Sequence, residues 1–319
     1  MFIAFLISLI HSLNNQPYII PNPRNVDVTS LTDKDGWQIQ NEMQIGYDSS
    51  IPGIKDFINY VVEVLKTPTG FNFQIVSQNV QKGLYFGSLT SKNNEYSLTT
   101  TNNLASIYGA DITSLFYGFQ TLLQLLPPTI YSTKLETTEW VAKPLVKIND
   151  FPKFSWRGVM VDTSRHFFPI SVLKQLIDGM SRYKLNVLHL YLSDDQGWRL
   201  QIKKFPNLTK YGSVRESSPK MWDRYSSDDT QYGPFFYTEE EISDLVQYAS
   251  QRMVTIIPEI QMPGHAMSFL SSFPQYACTS NEGPFKPSCF WETNDDCVLC
   301  VGNDGLIKRI EEILDEIIR

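Results

Sequence analysis

Three aliphatic runs late in the chain limit its fold more than any other feature. Trp156 to Val161, Val187 to Leu192 and Val254 to Glu259 each read as a buried strand. Between them lie helical stripes. Val172, Leu173, Leu176, Ile177 and Met180 share one face of a helix that Ser171 can cap. Ile242, Leu245, Val246 and Ala249 mark another, opened by the capping box Thr238–Glu241. Strands joined through helices run parallel, because a tight turn cannot return the chain to the same end of a sheet. Parallel α/β folds keep their chemistry at the carboxyl ends of the strands. Those ends read Asp162-Thr163-Ser164-Arg165-His166, Asp194-Asp195-Gln196-Gly197-Trp198 and Glu259-Ile260-Gln261-Met262-Pro263-Gly264-His265. Three polar strand ends on one rim are hard to explain as packing.

No glycine-rich phosphate fingerprint follows any of these strands, so a dinucleotide fold is unsupported and a barrel is favoured. A full (β/α)8 barrel takes about 250 residues, and 169 remain from Phe151 onward. The expected fold class is therefore α/β: an amino-terminal α+β domain and then the first part of a TIM-type barrel, with the third strand an open edge. Residues 151–319 alone are not expected to close into a stable domain.

Ahead of the barrel part, residues 17–148 read as the α+β domain and 149–319 as the partial catalytic domain. A helix over Pro52 to Leu65 carries Ile54, Phe57, Ile58, Val61, Val62 and Leu65. Strands follow at Gly83 to Gly87, Glu95 to Thr100 and Leu104 to Ala110. A second helix begins near Asp111 and stops at Pro127-Pro128. Nothing in this domain looks catalytic, and a packing or positioning role is expected. Lys203 to Tyr237 reads as a long loop. A final helix has its stripe at Leu306, Ile307, Ile310, Ile313, Leu314 and Ile317.

The net charge is −7, with no basic cluster, which argues against nucleic acid and anionic membrane as partners. Residues 1–16 resemble a secretory signal, Phe2 to Ile10 being apolar and too short to span a bilayer. No later segment is long and apolar enough to cross one. The secretory pathway, ending in secretion or in a lysosome-like compartment, is the expected location. The four cysteines, Cys278, Cys289, Cys297 and Cys300, lie in one stretch. In a secreted chain they read as two disulfides with the pairing open, in preference to a zinc site. Asn207-Leu208-Thr209 is a glycosylation sequon, expected on the surface.

Among the candidates for chemistry, Arg165 can donate paired hydrogen bonds to sugar hydroxyls or a carboxylate, or form a structural ion pair with Asp162 or another acid. Asp194 and Asp195 are neighbours in a strand ending, so alternation directs them apart and one functional aspartate is expected. His265 can pair with an aspartate from the neighbouring strand, which orients the imidazole. A metal centre of Asp194, Asp195, Glu259 and His265 lacks recognisable ligand spacing. Trp198 offers a flat apolar wall to a sugar face.

These residues resemble a known family. Phe151-Pro152-x-Phe154-x-Trp156-Arg157-Gly158, Asp162-x-Ser164-Arg165-His166-Phe167, Lys184-Leu185-Asn186, Leu192-Ser193-Asp194-Asp195-Gln196-Gly197-Trp198-Arg199 and Pro258-Glu259-x-x-x-Pro263-Gly264-His265 are similar to glycoside hydrolase family 20, the β-N-acetylhexosaminidases. Tyr117-Gly118-x-Gln120-Thr121-Leu122-x-Gln124-Leu125 resembles the end of that family's amino-terminal domain. The resemblance implies hydrolysis of terminal N-acetylglucosamine or N-acetylgalactosamine from glycans by substrate-assisted retention, in which the substrate's acetamido oxygen attacks the anomeric carbon. It implies that Arg165 grips the terminal sugar and that Asp194 and His265 form a relay tuning the general acid. It implies no cofactor and no metal, and homodimers are common among such proteins. Two departures stand out. The family's His-x-Gly-Gly-Asp-Glu motif, which carries its acetamido-orienting Asp and general-acid Glu, is not among these 319 residues, and Gln261 stands where the family usually has Asp. Activity of this chain alone is therefore doubtful. The competing expectations are an inactive relative that binds sugar or a partner, and a metal-dependent barrel hydrolase.

Overall fold

The computed structural model describes residues 17–30, 32, 34–91, 94–220, 223–227, 230–278, 283–287 and 298–318. The signal-like segment 1–16, Cys289, Cys297 and Arg319 lie outside the described residues. Two compact units are present. One holds the described residues up to Arg157 with Met180–Lys184 and Gln251–Met253, and the other holds Gly158–Gly179, Leu185–Ser250 and the described residues from Val254 onward.

The first unit runs through β1 (Asn25–Ser30), β2 (Trp37–Gln38), β3 (Met43–Tyr47), α1 (Ile54–Thr69), β4 (Phe73–Val76), β5 (Gly83–Ser88), β6 (Tyr96–Thr100), β7 (Leu104–Gly109), α2 (Ile112–Gln124), β8 (Val141–Ala142) and β9 (Leu145–Asp150). Seven strands form one mixed sheet in the order β1-β9-β6-β7-β5-β3-β4. The boundary expected between 148 and 149 falls inside β9, which pairs with β1 and β6. Phe57 of α1, Phe86 of β5 and Phe119 of α2 meet edge to face, with centroids 5.2 to 6.4 Å apart. Burying each of these rings contributes about 1.5–3 kcal/mol, so this contact joins both helices to the sheet. Asp111, near which the second helix was expected to begin, caps α2, accepting from the Ser114 amide at 2.8 Å. At the start of β5, Gly83 has φ +115°, and a Cβ there would lie 2.2 Å from the Gln44 carbonyl. Only glycine fits.

In the second unit come β10 (Gly158–Asp162), α3 (Ile170–Arg182), β11 (Val187–Asp194), β12 (Gly197–Trp198), α4 (Asn207–Gly212), β13 (Pro219–Lys220), β14 (Asp223–Ser227), α5 (Glu239–Ser250), β15 (Thr255–Ile260), α6 (Met267–Leu270) and α7 (Asp304–Ile318). The three terminal residues of α3 cluster with the first unit. β11 pairs in parallel with β10 on one side and β15 on the other, while β12 folds back on the end of β11. Parallel pairing is thus as the alternation requires, and the expected strands are each displaced by one or two residues. Among the described residues β10 and β15 have one strand neighbour each. The capping box holds: the Thr238 amide donates to Glu241 Oε2 at 2.9 Å, and the Glu241 amide to Thr238 Oγ1 at 3.1 Å. Ser171 is not a cap. It lies inside α3, whose first turn closes on the Pro169 carbonyl through the Val172 and Leu173 amides. The long loop from Lys203 to Tyr237 contains α4 and the β13–β14 hairpin. No helix among the described residues is long and apolar enough to cross a membrane.

The first unit also buries a charge. Lys184, in the left-handed region at φ +61°, is 5% exposed. Its Nζ donates to the Tyr96 hydroxyl at 2.9 Å and pairs with Asp150 Oδ2 at 3.4 Å. Burial pulls the ammonium down to about 8, against the partial opposing pull of Asp150. A folded-state value below the unfolded one means that the unfolded chain binds the extra proton between the two. Stability from this group therefore grows as pH rises above about 8. In melts of the full chain, wild type should gain on a Lys184→Met variant by about 1 kcal/mol per pH unit from roughly pH 8 to 10. A pH-independent difference between the two would contradict this reading of the buried amine.

Candidate active site

The site is built where β11 stops. The strand is buried along most of its length. It reverses immediately into β12, pairing Ser193 with Trp198 and Asp194 with Gly197. Asp195 and Gln196 make the turn. The Asp195 amide donates to Asp194 Oδ1 at 2.6 Å, so the chain curls around the first carboxylate. Strand alternation ends there, and the expectation that Asp194 and Asp195 point to different partners fails for that reason. His265 Nδ1 lies 3.1 Å from Asp194 Oδ1 and 3.2 Å from Asp195 Oδ2.

Asp194 is fully buried and is satisfied from several directions. Arg165 Nη2 reaches its Oδ2 at 2.6 Å, and the Tyr191 hydroxyl donates to the same oxygen at 3.0 Å. Arg165 Nη1 meets Asp162 Oδ2 at 2.9 Å. The other oxygen of Asp162 accepts the Ser164 and Arg165 amides at 3.1 and 2.9 Å, shaping the loop that carries Arg165. The structural ion pair expected of Arg165 is therefore present. It is ion-paired with Asp162 and Asp194, and its side chain remains about a third exposed on the rim. Burial, then the Asp194 charge, pushes the Tyr191 phenol well up, so it stays a donor at ordinary pH.

His265 has φ +55°, a left-handed conformation uncommon for histidine, and its side chain is 47% exposed. Asp195 is held from behind by the Met267 amide at 3.1 Å. Burial pushes the Asp195 carboxyl up, the Asp194 charge adds to this, and the Met267 amide and His265 pull it back. Facing carboxylate oxygens, Nδ1 of His265 is the donor, which leaves Nε2 as the free ring nitrogen.

Two contributors were not singled out from sequence. One is Tyr191. The other is Arg199, which is fully buried and donates only to carbonyl oxygens: Ser164 at 2.7 Å, Gln196 at 3.2 Å, Ser213 at 2.8 Å and Phe235 at 2.9 Å. It ties the loops after β10, β11 and α4 to the segment before α5. Burial draws its guanidinium down to about 10, which still leaves it charged near neutrality. A Cβ on Gly197 would sit 2.1 Å from that guanidinium carbon, and this glycine was the available signal.

Other expectations resolve differently. Trp198 offers no wall to a sugar: it is 1% exposed, donates to the Leu200 carbonyl and packs 6.1 Å from Phe269. Glu259 pairs with His189. The Gln261 amide donates to Ser193 Oγ at 2.8 Å. Asp194, Asp195 and His265 bring one ligand atom each within 4.8 Å of one another, the spacing of a metal site. Arg165 already supplies Asp194 with a positive partner. Asn207 is exposed at the start of α4, while Thr209 is buried with its hydroxyl on the Pro206 carbonyl. The described cysteines, Cys278 and Cys300, carry separate thiols in hydrogen-bond contact, set beside each other by the Ala277–Leu299 bridge.

Parallel strands with helical crossovers and an Arg–Asp–His cluster on their carboxyl rim make this unit part of a β/α barrel. The chain belongs to glycoside hydrolase family 20: residues 154–319 match "Glycosyl hydrolase family 20, catalytic domain" and residues 16–151 match "Glycosyl hydrolase family 20, domain 2". A beta-hexosaminidase of Porphyromonas gingivalis is 39% identical over 269 residues, covering 83% of this chain and 33% of that protein. Beta-hexosaminidase 1 of Arabidopsis thaliana is 33% identical over 202 residues, 62% of this chain and 32% of that one. The N-acetyl-beta-hexosaminidase of Streptomyces plicatus, solved with Thio-NAglucal, superposes with a TM-score of 0.78 at 30% identity, covering 94% of this chain and 56% of that structure. The chain thus spans about a third of the length of these curated relatives.

Removing Arg165 leaves a fully buried carboxylate without its cation, a change that typically costs about 3–5 kcal/mol. Urea unfolding of an Arg165→Met variant should show a loss of that order, and adding Asp194→Asn should recover most of it. Equal stability of the single and double variants would mean that this ion pair does not hold the rim.

Proposed function

We propose that this chain provides the sugar-gripping part of a β-N-acetylhexosaminidase acting on terminal, non-reducing N-acetylglucosamine or N-acetylgalactosamine of glycans in the secretory pathway. The observation that carries the reading is Arg165. Its guanidinium is fixed by Asp162 at 2.9 Å and Asp194 at 2.6 Å, yet it stays accessible on the rim where a sugar would meet it. A guanidinium held by two carboxylates is pre-oriented, so little freedom is lost when it donates to sugar hydroxyls. Family membership supports the substrate class: a Streptomyces plicatus beta-hexosaminidase variant has been solved with its product, GlcNAc.

In the proposed chemistry the substrate's acetamido oxygen attacks the anomeric carbon while a general acid protonates the leaving oxygen, and water later opens the oxazolinium-type intermediate. None of the 319 residues forms the Asp-Glu pair that serves these steps in the family. In the hydrolase reading that pair belongs to the part of the family's length that this chain does not span. Asp194 and His265 act as positioning residues. The buried carboxylate fixes the Nδ1 proton of the imidazole, and Nε2 can then hold a group on the open side in a defined protonation state. A second reading, a sugar- or partner-binding relative without hydrolysis, is favoured by the missing Asp-Glu motif alone.

Intact mass of the deglycosylated natural protein, against 36.6 kDa for this chain, and hydrolysis of an aryl N-acetyl-β-glucosaminide separate the two. A larger mass, chelator-insensitive turnover and an initial β-configured product on NMR support the hydrolase. Arg165→Ala should then lower kcat/KM by roughly a hundredfold. A mass equal to this chain's with no hydrolysis, or an inverted product, would sink the proposal.

A further inference from the structure

Phe151, Pro152, Phe154 and Arg157 of the motif before β10, together with Lys184, have no part in the rim chemistry, yet they meet in the first unit around a cavity of about 430 Å³. That volume lies within the range of small-molecule sites. Its lining is unusual in composition. Arg24, Lys153, Arg157 and Lys184 face it, against a single carboxylate, Asp150. Asp150 is already engaged by the Arg24 amide at 3.1 Å, the Tyr96 hydroxyl at 3.1 Å and Lys184 at 3.4 Å. The cavity therefore concentrates positive charge in a chain whose net charge is −7.

Each of those cations also lies over one aromatic ring of the lining. The Arg24 guanidinium carbon is 3.8 Å from the Phe151 centroid, and Lys153 Nζ is 5.5 Å from that of Phe154. Arg157 stands 5.3 Å from Tyr117, and Lys184 4.8 Å from Tyr96. Buried framework holds the polar end. Arg157 donates to the Tyr117 hydroxyl at 2.6 Å and the Lys184 carbonyl at 2.7 Å, and Lys184 is almost wholly enclosed. Arg24, Lys153 and Phe154 at the other end are exposed. A cavity with paired charges and ring faces complements a ligand that carries both a negative group and a flat apolar body.

We propose that this cavity is a binding site for a small aromatic anion, a ring bearing a phosphate, sulfate or carboxylate, independent of the sugar chemistry at the rim. The anionic group would sit among the guanidinium and ammonium groups, and the ring against the aromatic lining. Phenyl phosphate is a suitable probe, with benzyl alcohol as its uncharged counterpart, each titrated calorimetrically into the full chain. Saturable binding of phenyl phosphate is expected, weakening as salt is raised. The exposed charge reversals Arg24→Glu and Lys153→Glu should each weaken it roughly tenfold, and Lys55→Glu on α1 should leave it unchanged. Lys153→Glu alone, on an exposed side chain, guards against loss of fold, and Phe154→Ala tests the ring contact. No saturable binding, equal affinity for benzyl alcohol, or binding that survives both charge reversals would overturn the proposal.

Discussion

A carboxylate with no access to solvent needs a cation, and the rim of the second unit is arranged around meeting that need at Asp194. Arg165 supplies the charge, Tyr191 a hydrogen bond, and the Asp195 amide another. Each partner constrains a different piece of chain. Arg165 fixes the loop after β10, Tyr191 the end of β11, and the Asp195 amide the turn into β12. His265 then joins the third strand end to the same oxygens. Remove the charge pair and the remaining contacts lose the reason for their geometry, since an isolated buried carboxylate would take up a proton or draw in water.

Much of this was legible in the chain itself. Alternating strands and helices fixed the parallel pairing, and the carboxyl-end rule pointed to Arg165, to one of Asp194 and Asp195, and to His265, the choice of Asp194 coming from the family resemblance. Two of the misreadings share one cause, the local break in regularity at the β11–β12 turn. Alternation separates Asp194 from Asp195 only while the backbone stays extended, and it stops being extended between them. The same reversal carries Trp198 inward, where its ring packs on Phe269 and cannot serve as a surface. Ser171 failed as a cap because Pro169 had already offered its carbonyl to the first turn of α3. Tyr191 carried no pattern of its own, and Arg199 was signalled only by the glycine at 197, since its value lies in which distant groups it touches.

The first unit shows a different division. Its sheet and paired helices follow from the apolar stripes, with Phe57, Phe86 and Phe119 fixing how they pack. The grouping of Lys184, Asp150 and Tyr96 could not be read in advance, because residues far apart in sequence have to be brought together first. A buried ammonium is tolerated there because a phenol and a carboxylate replace part of its lost hydration.

Arg199 holds four segments by their carbonyl oxygens and by no side chain of theirs. A carbonyl is common to every residue type, so the clamp is indifferent to what Ser164, Gln196, Ser213 and Phe235 happen to be. The backbone paths of those loops are fixed by one guanidinium, while the Ser164 and Ser213 hydroxyls are held separately, donating to the Gly197 and Thr209 carbonyls. Loop changes that keep these backbone paths would leave the frame in place, provided position 197 keeps the glycine that makes room for the clamp.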